Sequence, residues 1–205
     1  MIENLIKFLP SIVKFIAPKN LKKLKYNFKT RTDFISIIVS SDNELLSKII
    51  ETFDSFGFLN IYLIQKEDIS NSIEENFKWL EFKKFEDYQE CCERVREDGY
   101  KICFINSSND SGNSEMGKFE LKEKIAIFID SKKNLENLFF KNKSDYILNL
   151  QTYGFIEELS DLSKYSIVFY EFRKKLELAG LCDSARPPKQ KIFNNWIKFT
   201  KKEGR

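Results

Sequence analysis

The stretch Asp145–Leu181, DYILNLQTYGFIEELSDLSKYSIVFYEFRKKLELAGL, carries two different periodicities back to back. Asp145–Leu150 is a short apolar run of strand length, while Ser160–Ala179 sets Leu162, Tyr165, Ser166, Phe169, Phe172 and Leu176 on one helical face before Gly180 offers a left-handed cap. The same alternation recurs upstream. Strands are predicted at Phe34–Val39, Asn60–Ile64, Lys101–Ile105 and Lys124–Ile129, and helices at Asn43–Phe56, Phe85–Asp98 and Asn134–Lys141, with Gly57 placed to cap the first helix. Strand and helix in alternation predict an α/β fold with a largely parallel sheet. Asn106–Gly117 (NSSNDSGNSEMG) reads as a surface loop, and Arg186–Lys189 (RPPK) separates a terminal helix that holds Trp196. No internal repeat is visible.

A chain of 205 residues with 42% hydrophobic content suits one such domain with a sizeable core. Its four cysteines, at 91, 92, 103 and 182, and its complete lack of histidine exclude a Cys/His zinc site, a CxxC redox pair, a Ser-His-Asp or Cys-His catalytic group and every His-containing metal triad. No metal is expected, and the thiols read as reduced cysteines of a cytoplasmic protein. The amino-terminal MIENLIKFLPSIVKFIAPK is apolar in places, but Glu3, Lys7, Pro10 and Lys14 interrupt it before it can span a bilayer. Apolar residues at 2, 5, 6, 9, 12, 13 and 16 recur near helical spacing, which predicts an amphipathic helix packed on the domain and no membrane anchor. No targeting signal is seen.

The net charge is +3, unevenly spread. Residues 1–31 carry +7, residues 183–205 carry +5, and the body between them carries −9. Basic ends on an acidic body point to a polyanion, because Lys and Arg neutralise phosphates and release counterions. The candidate contacts are Lys19, Lys22, Lys23, Lys25, Lys29 and Arg31 at one end and Arg186, Lys189 and Lys191 at the other. Tyr26, Phe28, Phe193, Trp196 and Phe199 interleave with these and can stack on bases, although the same spacing serves core anchors. The alternative for the charges is a solvated face in a Lys-rich, Asn-rich chain.

Ile35–Tyr62 (ISIIVSSDNELLSKIIETFDSFGFLNIY) and Lys124–Glu136 (KIAIFIDSKKNLE), together with the carboxy-terminal stretch, make the pattern specific. In order and spacing they resemble the SpoU/TrmH branch of the SPOUT superfamily, the AdoMet-dependent RNA 2′-O-methyltransferases, and within it most closely the tRNA (guanosine-2′-O)-methyltransferases. Leu45–Gly57, LLSKIIETFDSFG, aligns without a gap to the family's NLxAILRTxDAxG, and Asp130–Leu135 (DSKKNL) stands at its GAExxG turn. Leu150–Glu171 aligns with IPMxGxxxSLNVSxAxxxxxxE, and Glu177–Cys182 (ELAGLC) with the LKAGLY that follows. The resemblance implies a SPOUT-type parallel sheet flanked by helices, with a deep trefoil knot at the carboxy terminus, a rare exception to unthreaded topology. It also implies a homodimer that binds S-adenosyl-L-methionine (AdoMet) in the knot. The implied organisation is a basic helical extension at 1–32, a knotted domain at 33–182 and a basic helical tail at 183–205. By position the implied cofactor contacts are Ile105, Asp130, Leu150 and Leu159.

The residues for chemistry differ from the family's. The arginine that readies the ribose hydroxyl is Glu51 here, and Leu45 replaces the motif-one asparagine. Glu158, Ser160 and Leu162 replace the Ser, Asn and Ser of the SLNVS motif, Asp130 and Lys132 replace the Gly and Glu of the second motif, and Gln151 replaces the knot-loop proline. A glutamate can accept a proton, but beside RNA phosphates it adds repulsion where arginine adds attraction. Glu51 and Asp54, three apart, form either an acid/base pair or a solvated helix face. Two readings follow. One is a non-catalytic homologue that binds tRNA or rRNA, as a homodimer or as the heteromeric partner of an active paralogue. The other is an active AdoMet-dependent RNA 2′-O-methyltransferase that uses a displaced arginine or a partner subunit. A third and plainer reading keeps the fold for protein contacts alone.

Overall fold

A computed structural model of the protein describes residues 22, 26–27, 30–65, 71–106, 114–130, 135–154, 159–181 and 196–197. Among these residues the elements run β1 (Thr32–Ser40), α1 (Leu46–Ser55), β2 (Phe58–Ile64), α2 (Asn71–Asn76), β3 (Glu81–Phe85), α3 (Tyr88–Glu97), β4 (Lys101–Asn106) and β5 (Ser114–Glu115). A short 3₁₀ turn at Met116–Lys118 leads to β6 (Ile125–Ile129), α4 (Leu135–Lys143), β7 (Tyr146–Asn149) and α5 (Asp161–Leu178). Seven strands form one sheet in the order β3-β2-β1-β6-β4-β7-β5, and every pair in it is parallel.

A parallel sheet of apolar strands must be covered on both faces. Alternate residues of each strand serve the two sides. Ile35, Ile37 and Val39 of β1, Ile61 and Leu63 of β2 and Ile125 and Ile127 of β6 pack against Ile49 and Phe53 of α1 and Val168, Phe169 and Phe172 of α5. On the opposite side Ile38, Tyr62, Ile102, Phe104 and Phe128 meet Cys91, Cys92 and Val95 of α3 and Phe140 of α4. The helices change faces where the chain, having stepped outward through β1, β2 and β3, returns across the sheet to β4, as a constant crossover hand requires.

The five strands read from apolar runs are present within two residues of their expected limits. Strands β3 and β5 were not expected. Both are sheet edges, and β3 (EFKKF) is half-exposed and polar along most of its length, so it lacks the run that marks an inner strand. Part of the expected loop 106–117 is therefore structure: Ser114–Glu115 pairs with β7, and Met116 is buried.

Strand β7 lies between β4 and β5, which follow one another in sequence. Among the described residues no helix is long and apolar enough to cross a membrane.

Candidate functional site

Ligand sites of parallel α/β sheets open beyond the carboxyl ends of the strands. Here three of the implied cofactor positions meet at the ends of adjacent strands β6, β4 and β7. The Asp130 amide donates to the Ile105 carbonyl at 2.9 Å, and the Leu150 amide donates to the Asn106 carbonyl at 2.9 Å. Ile105 and Leu150 are buried, and Leu159, just ahead of α5, packs on the same core. The Asp130 carboxylate accepts from the Asn137 side chain of α4.

Beneath these strand ends stands a residue that sequence reading passed over. Lys164, on the first turn of α5, has a side chain only 2% exposed. Its Nζ lies 3.4 Å from the Asp130 carbonyl oxygen, to which it donates, and 3.4 Å from Oδ1 of Asp161. The helix begins at the Ser160 cap, whose hydroxyl accepts from the Ser163 amide at 3.3 Å. From there Lys164 falls on the inner face, one turn ahead of Val168. That position within the apolar repeat was the available signal, and its charge masked it.

The motif-one positions point elsewhere. Glu51 is exposed on α1, where the Lys48 ammonium donates to it at 2.9 Å. Asp54 turns inward instead: its Oδ1 accepts from Arg31 Nη2 at 2.5 Å and from Trp79 Nε1 at 2.9 Å. The two carboxylates therefore serve different partners, one a solvated group and the other a structural one. Leu45 is partly exposed, Ser160 is exposed as the α5 cap, and Leu162 is half-buried. Among the described residues no hydrogen bond or ion pair joins Glu51 to Ser160 or Asp130. Glu158 and Lys132 lie outside the described residues.

Of the basic positions, Lys22 is exposed. Arg31 is not a solvated contact. It is 9% exposed, ion-paired to Asp54, and stacked over the Trp196 ring at 5.4 Å. Arg31 is thus committed to the fold, because a largely desolvated guanidinium that gains a carboxylate and an indole is held inside. Trp196 is an anchor too: it is 4% exposed, and its Nε1 donates to the Trp79 carbonyl at 2.8 Å. Tyr26 is exposed. Lys19, Lys23, Lys25, Lys29, Arg186, Lys189 and Lys191 lie outside the described residues, as do Phe28, Phe193 and Phe199.

Among the described residues no group of three or more His, Cys, Asp or Glu is placed to hold a metal ion. Cys91, Cys92 and Cys103 are free and buried. Burial pushes the Cys91 and Cys103 thiols above their usual range and the Cys92 thiol up to about 11, so none is poised as a nucleophile.

No protein-family model matches the chain, and no curated protein matches it. Solved structures do share its fold. The TrmH/SpoU tRNA modifying enzyme of A. aeolicus superimposes with a TM-score of 0.67 at 16% identity, covering 90% of this chain and 96% of that one. The SpoU methyltransferase AviRb from Streptomyces viridochromogenes, in complex with AdoMet, has a TM-score of 0.56 at 15% identity over 76% of this chain and 65% of that chain. An AdoMet-bound rRNA methyltransferase from Sinorhizobium meliloti has 0.53 at 13% over 69% and 56%. The protein therefore has the fold of the SpoU/TrmH RNA methyltransferases.

AdoMet, the cofactor the resemblance implies, carries a sulfonium cation. The backbone at Ile105 and Leu150 and the apolar Leu159 suit such a ligand. A buried ammonium bonded to the Asp130 carbonyl does not, and no chemical step through the cofactor is derived for this chain.

Proposed function

We propose that this protein is a SpoU/TrmH-family homologue that binds tRNA or rRNA in the cytoplasm and transfers no methyl group. The carrying observation is the contact between Arg31, the last residue of one basic segment, and Trp196, within the other. The two segments carry +7 and +5 against a remainder of −9, the uneven charge that a phosphate backbone recruits.

Loss of transfer is supported by the site. Deprotonating or polarising a ribose hydroxyl needs a group fixed beside the reacting atoms. Glu51, at the position of the family's arginine, instead faces solvent and Lys48. Positions 45, 130, 160 and 162 likewise offer an apolar side chain, a strand-end carboxylate, a helix cap and a second apolar side chain. The carboxy-terminal knot is supported by β7 lying between β4 and β5. A homodimer is supported by the outward face of α5, where Ile167, Tyr170 and Leu178 are exposed at spacings of one helical turn or two.

Filter binding and a tritiated-AdoMet assay on unmodified tRNA test this reading together. Expected are binding that weakens steeply with salt and no time-dependent incorporation. Incorporation by the wild-type protein that disappears in Glu51→Ala would identify a working glutamate and overturn it.

A further inference from the structure

We infer that Lys164 is a built-in cation that bars a sulfonium cofactor from the carboxyl ends of β4, β6 and β7. The inference rests on the proposed SpoU/TrmH reading and on the cofactor positions that the resemblance implies. A lysine is almost never fully buried without compensation, and here the compensation is incomplete. The ammonium donates to the Asp130 carbonyl oxygen at 3.4 Å, longer than a usual N–H···O bond, and faces Asp161 Oδ1 at 3.4 Å as an ion pair. Asp161 Oδ1 is itself buried with no hydrogen-bond partner. Lysine and aspartate thus hold each other as a loose ion pair under the strand ends, within reach of the backbone that a cofactor at Ile105, Asp130 and Leu150 has to contact.

Two consequences follow from elementary electrostatics and shape. A second positive charge brought within roughly 6 Å of the ammonium loses about 10- to 100-fold in affinity at an effective dielectric constant near 20, the smaller figure allowing for the Asp161 carboxylate. The Lys164 stem also fills space on the inner face of α5, and its ammonium already uses the Asp130 carbonyl.

Calorimetric titration of AdoMet, and separately of the uncharged thioether S-adenosylhomocysteine, into three full-length proteins tests this. The proteins are wild type, Lys164→Ala, and Lys164→Met combined with Asp161→Asn, which removes both charges at nearly constant volume and keeps the test open if the single variant fails to fold. The expected result is weaker binding of AdoMet than of the thioether by wild type and a gain of at least about tenfold in AdoMet affinity in a folded variant, larger than any gain for the thioether. AdoMet binding by wild type as tight as that of the thioether, or no AdoMet gain in the folded charge-free variant, overturns the inference. Filter binding of tRNA to the same preparations reports on the proposed function separately. Wild-type AdoMet binding as tight as that of the thioether, without methyl transfer, sinks this inference and leaves that function standing, whereas an absence of RNA binding does the reverse.

Discussion

The guanidinium of Arg31 lies 5.4 Å from the centroid of the Trp196 ring while its Nη2 donates to Asp54, so one buried cation ties the entry of β1 to α1 and to the far end of the chain. The Trp79 indole completes the arrangement from a third direction by donating to the same carboxylate oxygen. Removing one partner leaves a charge without its counterpart in a half-buried site. Asp54→Ala is expected to destabilise the protein by about 3 kcal/mol, at the lower end of the range for broken buried pairs because Asp54 keeps 22% exposure. In a urea-unfolding double-mutant cycle with Arg31→Ala the two losses should overlap by more than about 1 kcal/mol. Simple additivity would show that the pair contributes nothing.

The same arrangement makes a prediction about RNA. Trp196→Ala removes the seat of the carboxy-terminal basic segment and should weaken tRNA binding. Replacing Lys22, Lys23 and Lys25 by alanine should weaken it through charge, lowering the slope of log affinity against log salt by roughly 0.7 to 0.9 for each phosphate that is no longer neutralised. Unchanged affinity at low salt in both variants would place the nucleic acid elsewhere or remove it altogether.

Gly57 and Gly180 both adopt left-handed backbone, with φ of +79° and +67°, yet they should respond differently to alanine. A Cβ on Gly57 would meet the Thr30 carbonyl oxygen at 3.0 Å, while one on Gly180 would meet nothing within 4 Å. Gly180→Ala should therefore cost about 1 kcal/mol, the conformational penalty alone, and Gly57→Ala at least about 1 kcal/mol more. Thermal melts that rank the two equally would contradict the clash.

Asp98 governs part of the acid limb of stability. Burial pushes its carboxyl up, but the bonds it accepts from Lys83 and from Tyr62, the latter at 2.5 Å, outweigh that and hold it below the usual carboxylate range. A carboxyl depressed in the folded state contributes stability that is fully present above its unfolded value, about 4, and is lost as the pH falls through the folded value. Asp98→Asn should lower stability at neutral pH and leave a shallower fall below pH ~4. A variant whose acid limb matches that of wild type would show that the pair with Lys83 is too solvated to matter.

Local pattern was enough for the inner strands and the long helices. An apolar run of five or six residues has few alternatives once Gly57 and Gly180 close the helices beside it, and α5 announces itself through Tyr165, Phe169, Phe172 and Leu176. The edge strands were silent, because Glu81–Phe85 bonds one neighbour and needs no apolar alternation to do so. The meeting of Ile105, Asp130 and Leu150 became a spatial fact only with the strand order, since backbone pairing across crossovers joins residues whose separation in sequence says nothing of their contact. Charge was the least legible quantity. Counting from the chain treated Arg31 as one more phosphate contact and passed over Lys164, yet the fold buries both. Whether a charged side chain is solvated or enclosed depends on partners such as Asp54, Trp196, Asp161 and the Asp130 carbonyl. The α/β class and its core follow from local periodicity. Which charges face water does not, because desolvation is settled by everything that packs around a group at once.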